Sequence, residues 1–209
     1  MPLSLGVASG AGFLKNSAEP AALGYRVNYI SNPSFEVNTT NWAAIGSSIS
    51  RVTSQSFNGS ASLQVTNTSA GGAQFGSPNK IPLLGGSSTY YISAYVKLDT
   101  GATPANYFIR HLQYENADST STVASGNVGL QALTVTGNWV RLSGSFTKTA
   151  SANFAIIRIA TSSTTNGDIF FIDSVLLEDS ASLGTYFDGS TGGFWAGTAH
   201  ASFSGATPY

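Results

Sequence analysis

The chain has no cysteine. Disulfide staples, thiolate nucleophiles and cysteine-held metals are therefore excluded, while the compartment stays open. Charge is scarce as well. Only 9% of the 209 residues are Asp, Glu, Lys or Arg, against roughly 25% in an ordinary globular chain. Formal net charge is −1, and the nine basic residues stand singly. A protein that tracks a phosphate backbone needs clustered Lys and Arg, so nucleic acid is not an expected partner. No apolar run approaches the length of a membrane span, and no membrane insertion is expected. Met1 to Val7 lacks a basic segment and a sustained apolar core, so it does not read as a signal peptide. Patterns that carry chemistry are missing too. The two histidines, His111 and His200, lie far apart. No nucleophile elbow and no metal-ligand spacing occurs. The Gly71-Gly72 and Gly85-Gly86 pairs are not followed by helices, which removes a phosphate cradle. These absences point away from an enzyme. Asn38, Asn58 and Asn67 head glycosylation sequons by letter, and without a secretion signal they read as chance in an Asn- and Thr-rich chain.

What is present is 42% hydrophobic, enough for a real core. With so little charge, the surface must be covered by Ser, Thr, Asn, Gln and Gly. From Val27 to Leu177 the signal is short strands at regular spacing between turn residues. Asn32-Pro33-Ser34-Phe35-Glu36, running on to Trp42, reads as the first strand, with Pro33 fixing an extended start. Its expected neighbour is Ile169 to Glu178, far downstream. Ser48 to Thr53 and Ser62 to Thr66 are further strands, the second entered through a turn at Asn58-Gly59. Tyr90 to Leu98 alternates most clearly: Ile92, Ala94, Val96 and Leu98 inward, Tyr91, Ser93, Tyr95 and Lys97 outward. Asn106 to Glu115 follows, then a polar loop over 116 to 127. Leu130 to Val135 and Trp139 to Phe146 come next. In Phe154 to Thr161, Ala155, Ile157 and Ile159 face inward, Ile156 and Arg158 outward. The economical reading is all-β, an antiparallel β-sandwich of jelly-roll type.

The two ends differ from this body. Residues 1–27 are rich in Ala, Gly and Ser, yet carry Leu3, Leu5, Val7, Phe13 and Leu14. That is more apolar than a solvated leader needs, and the segment reads as an extended N-terminal arm that packs on a neighbour. The sandwich is assigned to 28–179. Residues 180–209 combine glycines with Tyr186, Phe187, Phe194, Trp195, Phe203 and Tyr209. Glycines supply turns and aromatics supply apolar area, so the segment reads as a C-terminal aromatic, Gly-rich docking tail. It docks either on the sandwich or on a partner chain. Leu3, Leu5, Phe13, Tyr186, Phe187, Phe194 and Trp195 are the candidate partner-binding residues.

Asn32 to Glu36, Trp42, Phe57 to Leu63, Tyr90 to Lys97, Trp139 and Ile172 to Val175 together resemble the jelly-roll carbohydrate-binding modules attached to xylanases and related glycosidases. The tail is a sharper signal. Tyr186-Phe187-Asp188-Gly189, then Trp195-Ala196-Gly197-Thr198-Ala199-His200-Ala201-Ser202, resembles the segment that follows this module in minor tail proteins of phages infecting actinobacteria. Ala196 replaces the Thr usual there. The resemblance implies a non-enzymatic structural virion protein, on the tail or the head surface. Its expected partners are other virion proteins and copies of itself, trimers being consistent with such assemblies. A cell-wall glycan is a further expected contact. Two alternatives stay open: a head (capsid) decoration protein, and a free carbohydrate-binding module of a secreted glycoside hydrolase.

The resemblance also implies a structural Ca2+ tying the first strand to the last, at Glu36 and Asp173. Calcium takes about six to eight oxygens. The turn near Thr53 to Ser60 offers only neutral groups, so the competing reading has both carboxylates hydrogen-bonded or solvated without metal. For sugar, the candidates are Tyr91, Tyr95, Arg110, Tyr114 and Arg158, if they share the face turned away from the core. The competing reading packs them under a loop or against a subunit.

Overall fold

The computed structural model describes residues 25–69, 74–77, 79–84, 89–133, 137–162 and 164–207. The arm residues Leu3, Leu5 and Phe13 lie outside the described residues. The elements are β1 Arg26–Asn28, β2 Ala43–Ile45, β3 Ser47–Val52, β4 Ser62–Asn67, β5 Gln74–Gly76, β6 Ile81–Pro82 and β7 Thr89–Leu98. They continue with β8 Ala105–Tyr114, β9 Ala124–Leu133, β10 Trp139–Thr147, β11 Phe154–Ser162, β12 Ile169–Glu178, β13 Phe194–Trp195 and β14 Ser204–Ala206. Among the described residues there is no helix, and the fold is an all-β antiparallel jelly roll.

Two sheets form the body. One is five-stranded, β10-β7-β12-β4-β3; the other runs β2-β5-β11-β8-β9, with β6 pairing β11 as its sixth strand. Their edges meet, because β9 approaches β10 and β2 approaches β3. The core lies between them and follows from alternation. Ile92, Ala94, Val96 and Leu98 of β7 are fully buried, as are Ala155, Ile157 and Ile159 of β11. Each large side chain removed from water contributes about 1.5–3 kcal/mol. Tyr107 of β8 meets Phe170 of β12 edge to face across the core, at 5.3 Å. His111 is also turned inward, stacked on Phe146 at 4.3 Å. Burial lowers its pKa, which keeps the imidazole neutral at pH 7.

Asn32 to Trp42 is not a strand. It is an irregular loop, and the reason is backbone handedness. Asn32, Phe35 and Asn41 have φ of 53°, 57° and 71°, which a regular ladder does not accommodate. Asn tolerates this region through local side-chain bonds. Asn32 Nδ2 accordingly donates to the carbonyls of Asn38 and Thr40, both at 2.9 Å. Phe35 is held there by its burial against Trp42, with ring centroids 5.2 Å apart. Trp42 Nε1 closes the loop on the Asn32 carbonyl at 2.9 Å. The expected neighbourhood is nonetheless correct. Val175 donates its N–H to Pro33 O, and Tyr29 to Leu177 O, each at 2.9 Å.

Two further departures concern strand bounds. The polar loop after β8 is shorter than 116 to 127, because β9 begins at Ala124 and pairs Ala124 with Gln113. Its Gly and Ser residues hide a strand from hydropathy alone. The second departure is a bulge in β12: Asp173 opposes Tyr95, yet Leu176 opposes Ser93. One extra residue enters, with Ser174 at φ 54°. Side-chain parity therefore flips. Phe170 and Ile172 face the core before the bulge, Val175 and Leu177 after it.

The tail returns to the body. β14 pairs β1 (Arg26 opposite Ala206), and β13 pairs β14, giving a third, three-stranded sheet. Leu176, turned outward by the bulge, packs in a small second core with Phe187, Ala206, Leu183 and Tyr186.

Candidate functional site

Glu36 and Asp173 come together, on opposite sides of the Phe57–Ala61 turn. Asp173 Oδ2 accepts the N–H of Phe57 at 2.8 Å and of Asn58 at 3.0 Å. Its Oδ1 accepts the Ser174 N–H at 2.6 Å. Glu36 accepts N–H bonds from Ser60 and Ala61, and the Ser60 hydroxyl at 2.7 Å. Gly59 is required between them: its φ is 71°, and a Cβ there would stand 2.3 Å from Glu36 Oε1. The turn thus presents donors, not oxygens, to both carboxylates. This arrangement does not fit calcium, which needs those lone pairs for itself. Among the described residues, no group of three or more His, Asp or Glu could hold a metal. Burial is the main influence on Asp173, opposed by its backbone donors and reinforced by Glu36, and it raises the carboxyl to about 7.

Asp188 is the tail's anchor. Its Oδ2 accepts hydroxyl bonds from Ser34 and Tyr186, each at 2.8 Å. Its Oδ1 accepts the N–H groups of Ser190 and Thr191 at 2.8 and 2.7 Å. Asn58 Nδ2 adds a bond to Thr191 Oγ1 at 3.1 Å, joining tail and clamp. Gly189 lies under the Trp195 ring, where a Cβ would sit 2.2 Å from Cγ. Trp195 packs in turn against His200 at 4.8 Å. Among the described residues, the Tyr-Phe-Asp-Gly block therefore docks on its own sandwich. Phe187 is buried and Trp195 half-buried, while Phe194 is 46% exposed.

The five sugar candidates do not share a face. Tyr91 and Tyr95 stand on the outer side of the five-stranded sheet, on β7. Arg110 and Tyr114 of β8 and Arg158 of β11 stand on the outer side of the other sheet. Strand alternation puts each outward, but pairing decides the sheet, and pairing is not local in sequence. The tyrosines are engaged by their own chain. Tyr91 donates its hydroxyl to Ala181 O at 3.2 Å. Phe57 stacks on Tyr95 at 3.6 Å, with Trp139 6.1 Å from Phe57. Arg141 lies over Tyr95 at 5.7 Å and donates to Gly184 O at 2.6 Å. Sequence reading missed Phe57 in this cluster; its place in a turn gave no facing signal.

The outer side of the β2-β5-β11-β8-β9 sheet is different. Arg110 and Arg158 are directly opposed in the ladder and half-buried. Phe108 and Ile156 lie on the same side, half-buried beside them. Tyr114 is buried at the end of this side, with Lys80 Nζ 4.5 Å over its ring. Gln74 of β5 shares the face, and Gly76 lies under the Arg158 stem, where a Cβ would stand 2.7 Å from Cγ. The result is a cationic strip with apolar flanks.

Solved structures share this architecture. The C-terminal family 22 carbohydrate binding module of Clostridium thermocellum Xyn10B superposes with a TM-score of 0.60 at 19% identity, over 75% of this chain and 96% of that one. The CBM22-1 xylan-binding domain of Paenibacillus barcinonensis Xyn10C gives 0.50 at 24% identity, over 74% and 96%. Tailspike protein 4 of bacteriophage CBA120 gives 0.50 at 18% identity, over 72% of this chain and 21% of that one. No curated protein sequence matches. Residues 27–166, well over half of the chain, match the family described as carbohydrate binding domain, CBM_4_9, and the protein belongs to that family.

Proposed function

We propose that the protein is a non-enzymatic glycan-binding component of a tailed-phage particle, and that the outer side of the β2-β5-β11-β8-β9 sheet holds the glycan. One observation carries the choice of side. The tail, the 180–184 segment and Phe57 lie against the opposite sheet, whereas Arg110, Arg158, Phe108 and Asn127 are left facing outward. A sugar ring needs an apolar surface beside hydrogen-bonding side chains, and this side offers both. The xylan-binding activity named for the structural neighbours supports the ligand class. Arrayed neutral and acidic oligosaccharides, read by calorimetry for the hits, test it. Binding that survives Tyr95→Ala and falls in Phe108→Ala is expected; the reverse pattern moves the site to the other sheet.

The particle assignment rests on the tail pattern and on the presence of the fold within a phage tailspike. In this reading 1–27 is an arm, 28–179 the sandwich and 180–209 the tail. The protein is a minor tail protein or a head decoration, assembled with other virion proteins and with copies of itself, trimers included. Mass spectrometry of purified virions tests the assignment, and absence from the particle overturns it. The xylanase neighbours favour a second reading, a free module of a secreted hydrolase. That reading requires a monomer in light scattering and soluble plant-type glycans as ligands.

A further inference from the structure

We propose that the glycan held on the β2-β5-β11-β8-β9 sheet carries an anionic group, clasped between Arg110 and Arg158. The inference rests on the glycan reading above and names the ligand's chemistry. Arg110 and Arg158 are cross-strand partners on the same outward side. Side chains so placed leave the sheet about 5 Å apart, and like charges there repel. Among the described residues no ion pair or acceptor offsets this. None of the strands β2, β5, β6, β8, β9 and β11 contains an Asp or Glu. Among the described residues, the one ion pair is Arg26 with Glu178, on the opposite sheet's side. No described residue accepts a hydrogen bond from either guanidinium, and Arg158 Nε is buried without a partner. Other arginines of the described residues do find acceptors: Arg51 two carbonyls, Arg26 Glu178, and Arg141, whose Nε is likewise unpartnered, Ser93 and Gly184 through its Nη2.

A guanidinium fork matches a carboxylate or a phosphate in geometry, and each bond to an ion is about twice as strong as a neutral one. Gln74 adds an amide oxygen that is buried and also unpartnered, suited to a sugar hydroxyl. Phe108 and Ile156 border the pair and give a ring something apolar to lie against. Gly76 has no side chain, and the Arg158 stem crosses it. A pair of cations suits one anionic group on a sugar; a polyanionic backbone would need a longer basic track.

The test is titration calorimetry with three probes: a uronic-acid trisaccharide, a glycerol-phosphate trimer and neutral xylotriose. Wild type is compared with Arg110→Gln, Arg158→Gln and Arg158→Lys. At least one anionic probe is expected to bind more tightly than xylotriose, to weaken with added salt, and to lose about tenfold or more in either Gln variant. Retention of part of the affinity in Arg158→Lys marks a charge role; the two anionic probes separate carboxylate from phosphate. Folding is checked independently, because removing one of two repelling charges leaves the thermal midpoint of the free protein unchanged or raised. Equal binding of neutral and anionic probes, or affinity indifferent to both Gln substitutions, overturns the inference while leaving the glycan reading standing. No binding of any probe by folded protein overturns both.

Discussion

At the scale of single residues, Asp173 is a carboxyl strongly affected by its surroundings. Its carboxyl stands at about 7 rather than near 3.8, because burial outweighs three N–H donors. The folded state therefore holds a proton that the unfolded chain releases at lower pH. The stability that comes from this group is fully present below about pH 4 and is lost as pH rises through about 7. Urea unfolding from pH 4 to 8 should show that decline in the wild type and a flatter profile in Asp173→Asn; identical slopes would remove the effect. Calcium is the companion test. A bound ion at a hundred times its Kd would add about 3 kcal/mol. The clamp is expected to gain nothing, so the melting temperature should be the same in millimolar calcium and in chelator. An upward shift of several degrees would mean that the Phe57–Ala61 turn rearranges to offer carbonyls. The clamp residues were legible in sequence. Their donors were not, since which way a turn's N–H groups point depends on φ at Gly59 and Phe35.

Among the elements, the strands with strict alternation were readable from one sequence, and the irregular ones were not. β7 and β11 declare themselves through Ile92 to Leu98 and Ala155 to Ile159. The 32–42 loop defeats the same reasoning, because Phe35 and Trp42 are buried as a strand's residues would be. Only positive φ at Asn32 and Phe35 reveals the difference, and hydropathy carries no sign of φ. Likewise Arg110, Arg158, Tyr91 and Tyr95 were each placed outward, while their division between two sheets needed long-range pairing. The tail offers the sharpest test at this scale. Asp188 gathers four donors in a buried site. Asp188→Ala leaves Ser34 and Tyr186 hydroxyls without an acceptor, and a loss of about 3 kcal/mol is expected. Hydrogen exchange should show residues 204–206 unprotected before the body opens. Protection unchanged at Ser204 to Ala206 would mean that β14 is held by its ladder with β1 alone.

For the molecule as a whole, the tail completes the sandwich rather than extending from it. Arg26 bridges to Glu178, lies over Phe187 at 4.6 Å and donates to Thr185 O, tying the first strand, the last sandwich strand and the tail together. A chain ended after Asp179 would uncover Leu176 and the β1 edge. Losing the burial of one such side chain costs about 1.5–3 kcal/mol. The shortened protein is expected to melt at lower temperature and to bind a hydrophobic dye; an unchanged melt would show that the body is complete without it. Phe194, 46% exposed, meets Tyr25 edge-on at 5.8 Å on the outside of the small third sheet. In the particle reading, that exposed pair, Tyr25 from the N-terminal side and Phe194 from the tail, is open to a neighbouring subunit.

The extra residue in β12 makes the final strand a two-sided ruler. Upstream of Ser174 its even-numbered positions serve the interior; downstream they serve the returning C-terminus. Deleting Ser174 would remove the bulge and leave a strand of ordinary pleat, with Val175 and Leu177 still facing the interior and Leu176 still opposite Ser93. What the extra residue shapes is local: at Ser174 the backbone turns to φ 54° and aims its N–H at Asp173 Oδ1, so the spare amino acid serves the buried carboxyl and not the count of the strand.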